Sequence, residues 1–281
     1  MKYISLLLLL SGMSVTTAYA QTTDSFSLVA LDQVNAFRDS LHLPRVTLAK
    51  TLSAGCRSHA RYLVINRDNS KTQGLLGHKE FSELPGYSKA GEAAGSHSVI
   101  GFPIDPKTIV PQLLATFYHR MPFMQPNLAE IGFGSWKDTN WYVTVLDCST
   151  SMASGRSDAQ IVAYPYNGQV NVPLKMQEEL PDPINHSLGD GGAGGFPVTF
   201  FFATYQSVTN VSFSLTDEAG NDVVCYVSSP EKPATDFSQW FTVCAIPASP
   251  LKPTTKYTAS LSCTVNDQPY KDQLSFTTTA E

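Results

Sequence analysis

HRMPFMQPNLAEIGFG, residues 119–134, joins two kinds of pattern. The residues leading into it, DPKTIVPQLLATFYHR, space their apolar positions as a helix does, although Pro111 must fall in the first turn or kink it. The residues leaving it, AEIGFGSW and, after the turn-like KDTN, NWYVTVLDC, read as two short strands of a hairpin. A helix that runs into a hairpin points to layers of helix on sheet, an α+β arrangement. His119 stands at the joint with apolar residues close on either side, a setting that singles it out.

Working outward, two more helical patterns precede the joint. From Phe26 the apolar positions Leu28, Leu31, Val34, Phe37 and Leu41 recur at steps of three and four, and Pro44 ends the run. TLAKTLSAGCRSHARYLVIN repeats the pattern with Leu48, Leu52, Cys56, Ala60 and Leu63, so a second helix is expected to pack on the first. Farther out, Lys2, the apolar run Leu6 to Leu10 and the small residues AYA before Gln21 read as a secretory signal cleaved after Ala20. The chain is therefore expected to be secreted or periplasmic. No later segment reaches the roughly 20 apolar residues that a bilayer span needs, so it is not expected to span a membrane.

Past Asp158 the sequence changes character. Residues 159–195 are rich in Pro, Gly and Asn and read as a linker, with one short candidate strand from Val170 to Met176. Then VTFFFATY, VSFSLTD, DVVCYVS, WFTVCAIP, KYTASLSCTV and QLSFTTT follow at short intervals, which predicts an all-β sandwich of the immunoglobulin or fibronectin kind over 196–281. The first folded domain is expected over 21–158. Five of the six histidines precede residue 163, and the remainder, with five Lys/Arg against twelve Asp/Glu, is acidic. Chemistry is thus expected in the first domain, and the absence of a basic field argues against nucleic acid as a partner.

An exported chain favours disulfides. None of the five cysteines forms a CxxC pair, which speaks against zinc ribbons and thioredoxin-like redox work. One bridge within each domain, Cys56 to Cys148 and Cys225 to Cys244, is the expected pairing, leaving Cys263 over.

Three polar residues of the first domain stand out: His78 in LLGHKEF, Glu92 in AGEAAG and His119 in FYHRMPF. Two imidazoles and a carboxylate can hold zinc with an open position, or serve as acid and base, if the fold brings them together. The alternative for each is a buried group satisfied by hydrogen bonds. There is no His-Glu-x-x-His pair and no G-x-S-x-G elbow.

These residues, in order, resemble the CAP superfamily (cysteine-rich secretory proteins, antigen 5, pathogenesis-related 1) in its bacterial SCP-like form. LDQVNAFRDSLHLPRVTLAKTLSAGCRSHARYL is similar to the opening of that family, GEAAG stands where the family has GEN, and His119, Arg120, Pro126, Glu130, Ile131, Gly132 and Gly134 keep the pattern HRxxxxxPxxxEIGxG. The resemblance implies an α-β-α sandwich with a central cleft of two His and two Glu, sometimes with zinc. It assigns His78, Glu92 and His119 to that cleft, with His78 and His119 as the metal ligands. His59 matches the family's HA histidine and is read as structural, tied to a backbone or side-chain acceptor. The fourth place is not kept: the family's Trp and Glu are Leu113 and Thr116 here, and its Asn is Ala93. Loss of the second carboxylate turns the expectation from an enzyme toward a secreted binding protein for a cation, a small apolar molecule, a peptide or a cell-surface component. A metal-dependent hydrolase and a structural cell-envelope module are the alternatives.

Overall fold

A computed structural model of the chain describes residues 16–155, 161–184, 194–202 and 207–281. Most of the expected signal segment and part of the expected linker lie outside the described residues. Helices α1 (Thr16–Ser40) and α2 (Lys50–Ile65) answer the two amphipathic patterns. Helix α3 (Lys89–Ser96) falls on the run of small residues around Glu92, where no apolar period announces it. Its start is set by Ser88, whose Oγ accepts the N–H of Gly91 at 3.0 Å. The third helical pattern breaks up: α4 covers only Ile109–Leu114, with Pro111 in its first turn and short 3-10 turns at Pro106–Thr108 and Met121–Met124 on either side. Prolines at 106, 111 and 122 remove the N–H groups that a longer helix would need.

The first sheet has the order β1-β3-β4-β2, from β1 (Thr47–Leu48), β2 (Ser98–Gly101), β3 (Leu128–Lys137) and β4 (Tyr142–Met152). β3 and β4 form the expected antiparallel hairpin. One face of this sheet packs on α1 and α4 through Val34, Phe37, Ile109, Ile131, Phe133 and Leu146. The other face packs on α2 and α3 through Cys56, Ala60, Leu63, Ala94, Val143 and Val145. Each fully buried Leu, Ile, Val or Phe contributes roughly 1.5–3 kcal/mol. At Gly134 the backbones come so close that a Cβ would sit 2.0 Å from the amide nitrogen of Arg57, so α2 lies directly on β3. Arg38, fully buried on α1, ties the same layers by donating to the carbonyls of Pro44, Phe123 and Gln125 at 2.8–2.9 Å.

The second half forms two further sheets. One has the order β5-β7-β10-β9, from β5 (Ile161–Tyr164), β7 (Val198–Phe202), β9 (Cys225–Ser228) and β10 (Thr242–Pro247). The other has the order β6-β12-β11-β8, from β6 (Gln169–Val172), β8 (Val208–Asp217), β11 (Lys256–Val265) and β12 (Gln268–Thr278). Phe200, Phe202 and Val243 of the first meet Leu215, Tyr257, Leu261 and Phe276 of the second in one core. The stretch expected as a linker therefore begins this unit, since β5 and β6 are edge strands of its two sheets.

The two halves share a core. β7, VTFFF, is buried along its whole length. Phe200 and Phe202 face the second sheet, whereas Phe201 joins Val34, Phe37 and Phe123 of the first half. A strand covered on both faces reads as a continuous apolar run, and that is why its sequence does not alternate. Cys244 and Ile246 of β10 likewise meet Phe117, Tyr118 and Met121.

Both expected disulfides are corrected: all five cysteines are free thiols. Cys56 packs with Val143 and Val145 on the α2 face of the first sheet, while Cys148 packs with Leu146 on the α1 face. On β10, Cys244 points toward Phe117 and Tyr118, while Cys225 of the neighbouring β9 packs into the core between the two later sheets. In each pair a sheet stands between the sulfurs, because neighbouring positions along a strand point to opposite faces. Burial pushes the Cys56 thiol up to about 12, far from the thiolate that exchange would require.

Candidate functional site

Between the 3-10 turns 70–78, β2, α4 and the segment 177–182 lies a cavity of about 810 Å³. His78 enters it from the end of the turn Gly74–His78, and His119 enters from the turn after α4. The Nδ1 of His78 lies 3.0 Å from the Gly95 carbonyl, which can only accept, so Nδ1 carries the proton and Nε2 is left as the acceptor. Burial lowers the pKa of His78, the nearby His119 adds to this, and the ring is neutral at neutral pH. His119 is mostly buried, and its Nδ1 lies 3.3 Å from Oε2 of Glu179, in contact but off the line of a hydrogen bond.

Glu92 is not brought to this cavity. It is exposed on α3, where its Oε2 accepts from the hydroxyl of Tyr87 at 2.9 Å, and it is absent from the cavity lining. The small residues around it serve a different contact. His59 is fully buried beneath α3, with Nε2 2.8 Å from the Gly77 carbonyl and Nδ1 3.1 Å from Oε1 of Glu80. Both ring nitrogens face acceptors, so the ring is held from both sides. Glu80 also accepts the N–H of Ser88 at 2.8 Å, which links the pair to the start of α3. A Cβ at Gly95 would stand 2.6 Å from Cε1 of His59; only glycine lets α3 lie this close.

The residue that sequence reading missed is Glu179. It comes from the stretch expected as a linker, and its side chain is completely buried against the turn that carries His119. Oε1 accepts the N–H of Phe117 at 2.6 Å, and Oε2 accepts those of Tyr118 at 2.8 Å and His119 at 3.3 Å. Two residues earlier, the N–H of Gln177 donates to the Ala115 carbonyl at 3.0 Å, docking the segment on the end of α4. Such charge-assisted bonds are stronger than neutral ones, and here they offset the cost of burying the carboxylate. The local signal, QEELPDP, shows acidity but not its destination.

These donors do not fit a resident zinc. Among the described residues no three His, Cys, Asp or Glu side chains are grouped so that they could hold a metal ion. A zinc site takes three or four protein ligands. Here the third expected donor, Glu92, is elsewhere, and the carboxylate that is present, Glu179, is already occupied by three backbone N–H groups. What the arrangement offers is hydrogen bonding from two imidazoles beside an acidic wall.

Residues 31–148 match the sequence profile of the cysteine-rich secretory protein family, CAP, so the chain carries a CAP domain over that span. Glu179 lies outside it. Among solved structures the chain is similar to an outer surface protein from Borrelia burgdorferi, at 19% identity over 44% of this chain and 91% of that one, with a TM-score of 0.35. It is also similar to CopC from Methylosinus trichosporium, at 15% identity over 42% of this chain and 88% of that one, with a TM-score of 0.27. A search of the curated proteins found no match.

Proposed function

We propose that this CAP-domain protein is an exported binding protein whose cleft takes a small apolar or peptide ligand, neutral or cationic, and whose second half, an immunoglobulin-like sandwich, presents the cleft at a surface. The observation that carries this reading is the lining of the cleft. Leu75, Phe102 and Leu180, exposed by 45%, 61% and 57%, stand around a concavity whose titratable groups are His78, His119, Glu178, Glu179 and Asp182. Exposed apolar side chains gathered round a polar hollow are a usual sign of a ligand site. Among the described residues no Lys or Arg lines the cavity, so an anionic ligand would meet no counter-charge from them.

The buried carboxylate nearest His119, Glu179, already accepts three backbone N–H groups, and this favours binding over hydrolysis. The experiment is a fluorescence titration of the purified full chain with tetrapeptides that carry one Leu or Phe and one Lys, alongside uncharged and Glu-containing versions. Saturable binding of the Lys and uncharged peptides, weakened at least tenfold by Phe102→Ser or Leu180→Ser, is expected. Hydrolysis of a peptide that is abolished by a chelator and by His119→Ala would replace this reading with the metal-dependent hydrolase. Absence of both binding and hydrolysis would leave the envelope module.

A further inference from the structure

We infer that Glu179 is the positioning residue of the cleft: brought from outside the CAP span, its carboxylate holds the 117–119 turn and decides which edge of the His119 ring faces the ligand.

Three observations carry this. The carboxylate accepts three successive backbone N–H groups, from Phe117, Tyr118 and His119, so the turn that aims the imidazole is built around it. The Nδ1 edge of the ring is turned inward: that atom is buried, 3.3 Å from Oε2, while 15% of the side chain is exposed and His119 lines the cavity. Arg120, the next residue, is fully buried and feels the charge of Glu179, so the acid sits in a fixed field of opposite sign. A carboxylate beside Nδ1 favours the proton on that nitrogen and leaves Nε2 unprotonated, as an acceptor. His78 has its proton on Nδ1 as well, held there by the Gly95 carbonyl. Both rings then offer acceptor nitrogens, which suits a ligand that brings hydrogen-bond donors such as peptide N–H groups or an ammonium.

The inference deepens the cleft reading above, but its test needs no ligand, so the two can fail separately. The full chain, labelled with 15N-histidine, is studied by two-bond 1H–15N spectra at about pH 8.5, roughly two units above the ordinary histidine pKa. In the wild type, His119 is expected as the tautomer protonated on Nδ1. Glu179→Gln, which keeps an oxygen for the turn but removes the charge, is expected to shift the His119 signals toward a mixture of tautomers. Glu92→Gln is expected to leave them unchanged. A wild-type ring protonated on Nε2 would overturn the inference even if the variant failed to fold. So would a folded Glu179→Gln with wild-type His119 signals, or an equal shift caused by Glu92→Gln.

Discussion

The guanidinium of Arg120 lies 4.6 Å from the centre of the Phe196 ring, so a charge from the first half of the chain is stacked on an aromatic residue of the second. The Tyr164 ring flanks it at 4.8 Å, while its Nε donates to the Leu114 carbonyl at 2.6 Å and one Nη donates to the Pro197 carbonyl at 2.8 Å. Burial lowers its pKa to about 10, which still leaves it charged at neutral pH. With Phe201 in the core of the first half, this contact predicts that the chain unfolds in one transition. Arg120→Ala should cost about 3 kcal/mol or more, because it strands buried carbonyls and opens a cavity. Arg120→Lys should recover only part of this, since an ammonium lacks the planar fork. Urea unfolding followed by near-UV and far-UV signals checks both; two well-separated wild-type transitions would contradict the shared core.

Gly95→Ala should destabilise by roughly 1–3 kcal/mol. The added Cβ would meet the His59 ring at 2.6 Å, and that ring cannot withdraw while Gly77 and Glu80 hold both its nitrogens. Thermal unfolding is the measurement. Gly155→Ala is no neutral control, because Gly155 has φ +72° and a side chain there is strained for a different reason.

Thiol titration in denaturant without reductant should find five thiols per chain. In the native protein Cys56, Cys148 and Cys244 should react far more slowly than a free thiol, as all three are buried and their pKa values raised by that burial. A count of three or one in denaturant would restore a disulfide.

Asp217 closes the end of β8 by accepting from Lys252 and Asn221, and the Lys252 hydrogen bond is the main reason its carboxyl is held well below the usual range. A lowered folded-state value means that the stabilisation is present above the unfolded pKa, about 3.9, and is lost as pH falls toward the folded one. Asp217→Asn should thus be less stable than the wild type by a constant amount from roughly pH 5 to 7, and the gap should close in stronger acid. A gap that persists undiminished at the lowest pH where both proteins fold would show that charge is not its source.

Much of the architecture was legible locally. The apolar spacing of α1 and α2, the hairpin β3–β4 and the β-branched runs of β7 to β12 each declare themselves within a window of about ten residues, since one face of every element must be apolar. α3 was hidden because it is made of Gly, Ala and Ser: its contact with α2 depends on the smallness of Gly95 rather than on an apolar stripe.

For the site, the order of motifs reached His78 and His119, which line one cavity, and the CAP span itself. It could not reach Glu179, 60 residues beyond His119, because a carboxylate in a Pro-rich stretch looks the same whether water or three backbone N–H groups receive it. Nor could it say that Glu92 faces outward, or that Cys56 and Cys148 look to opposite sides of a sheet. Periodicity is a property of neighbours along the chain and needs no knowledge of the rest. Which buried group meets which depends on how the sheets stack, and that is settled only when the layers close over one another.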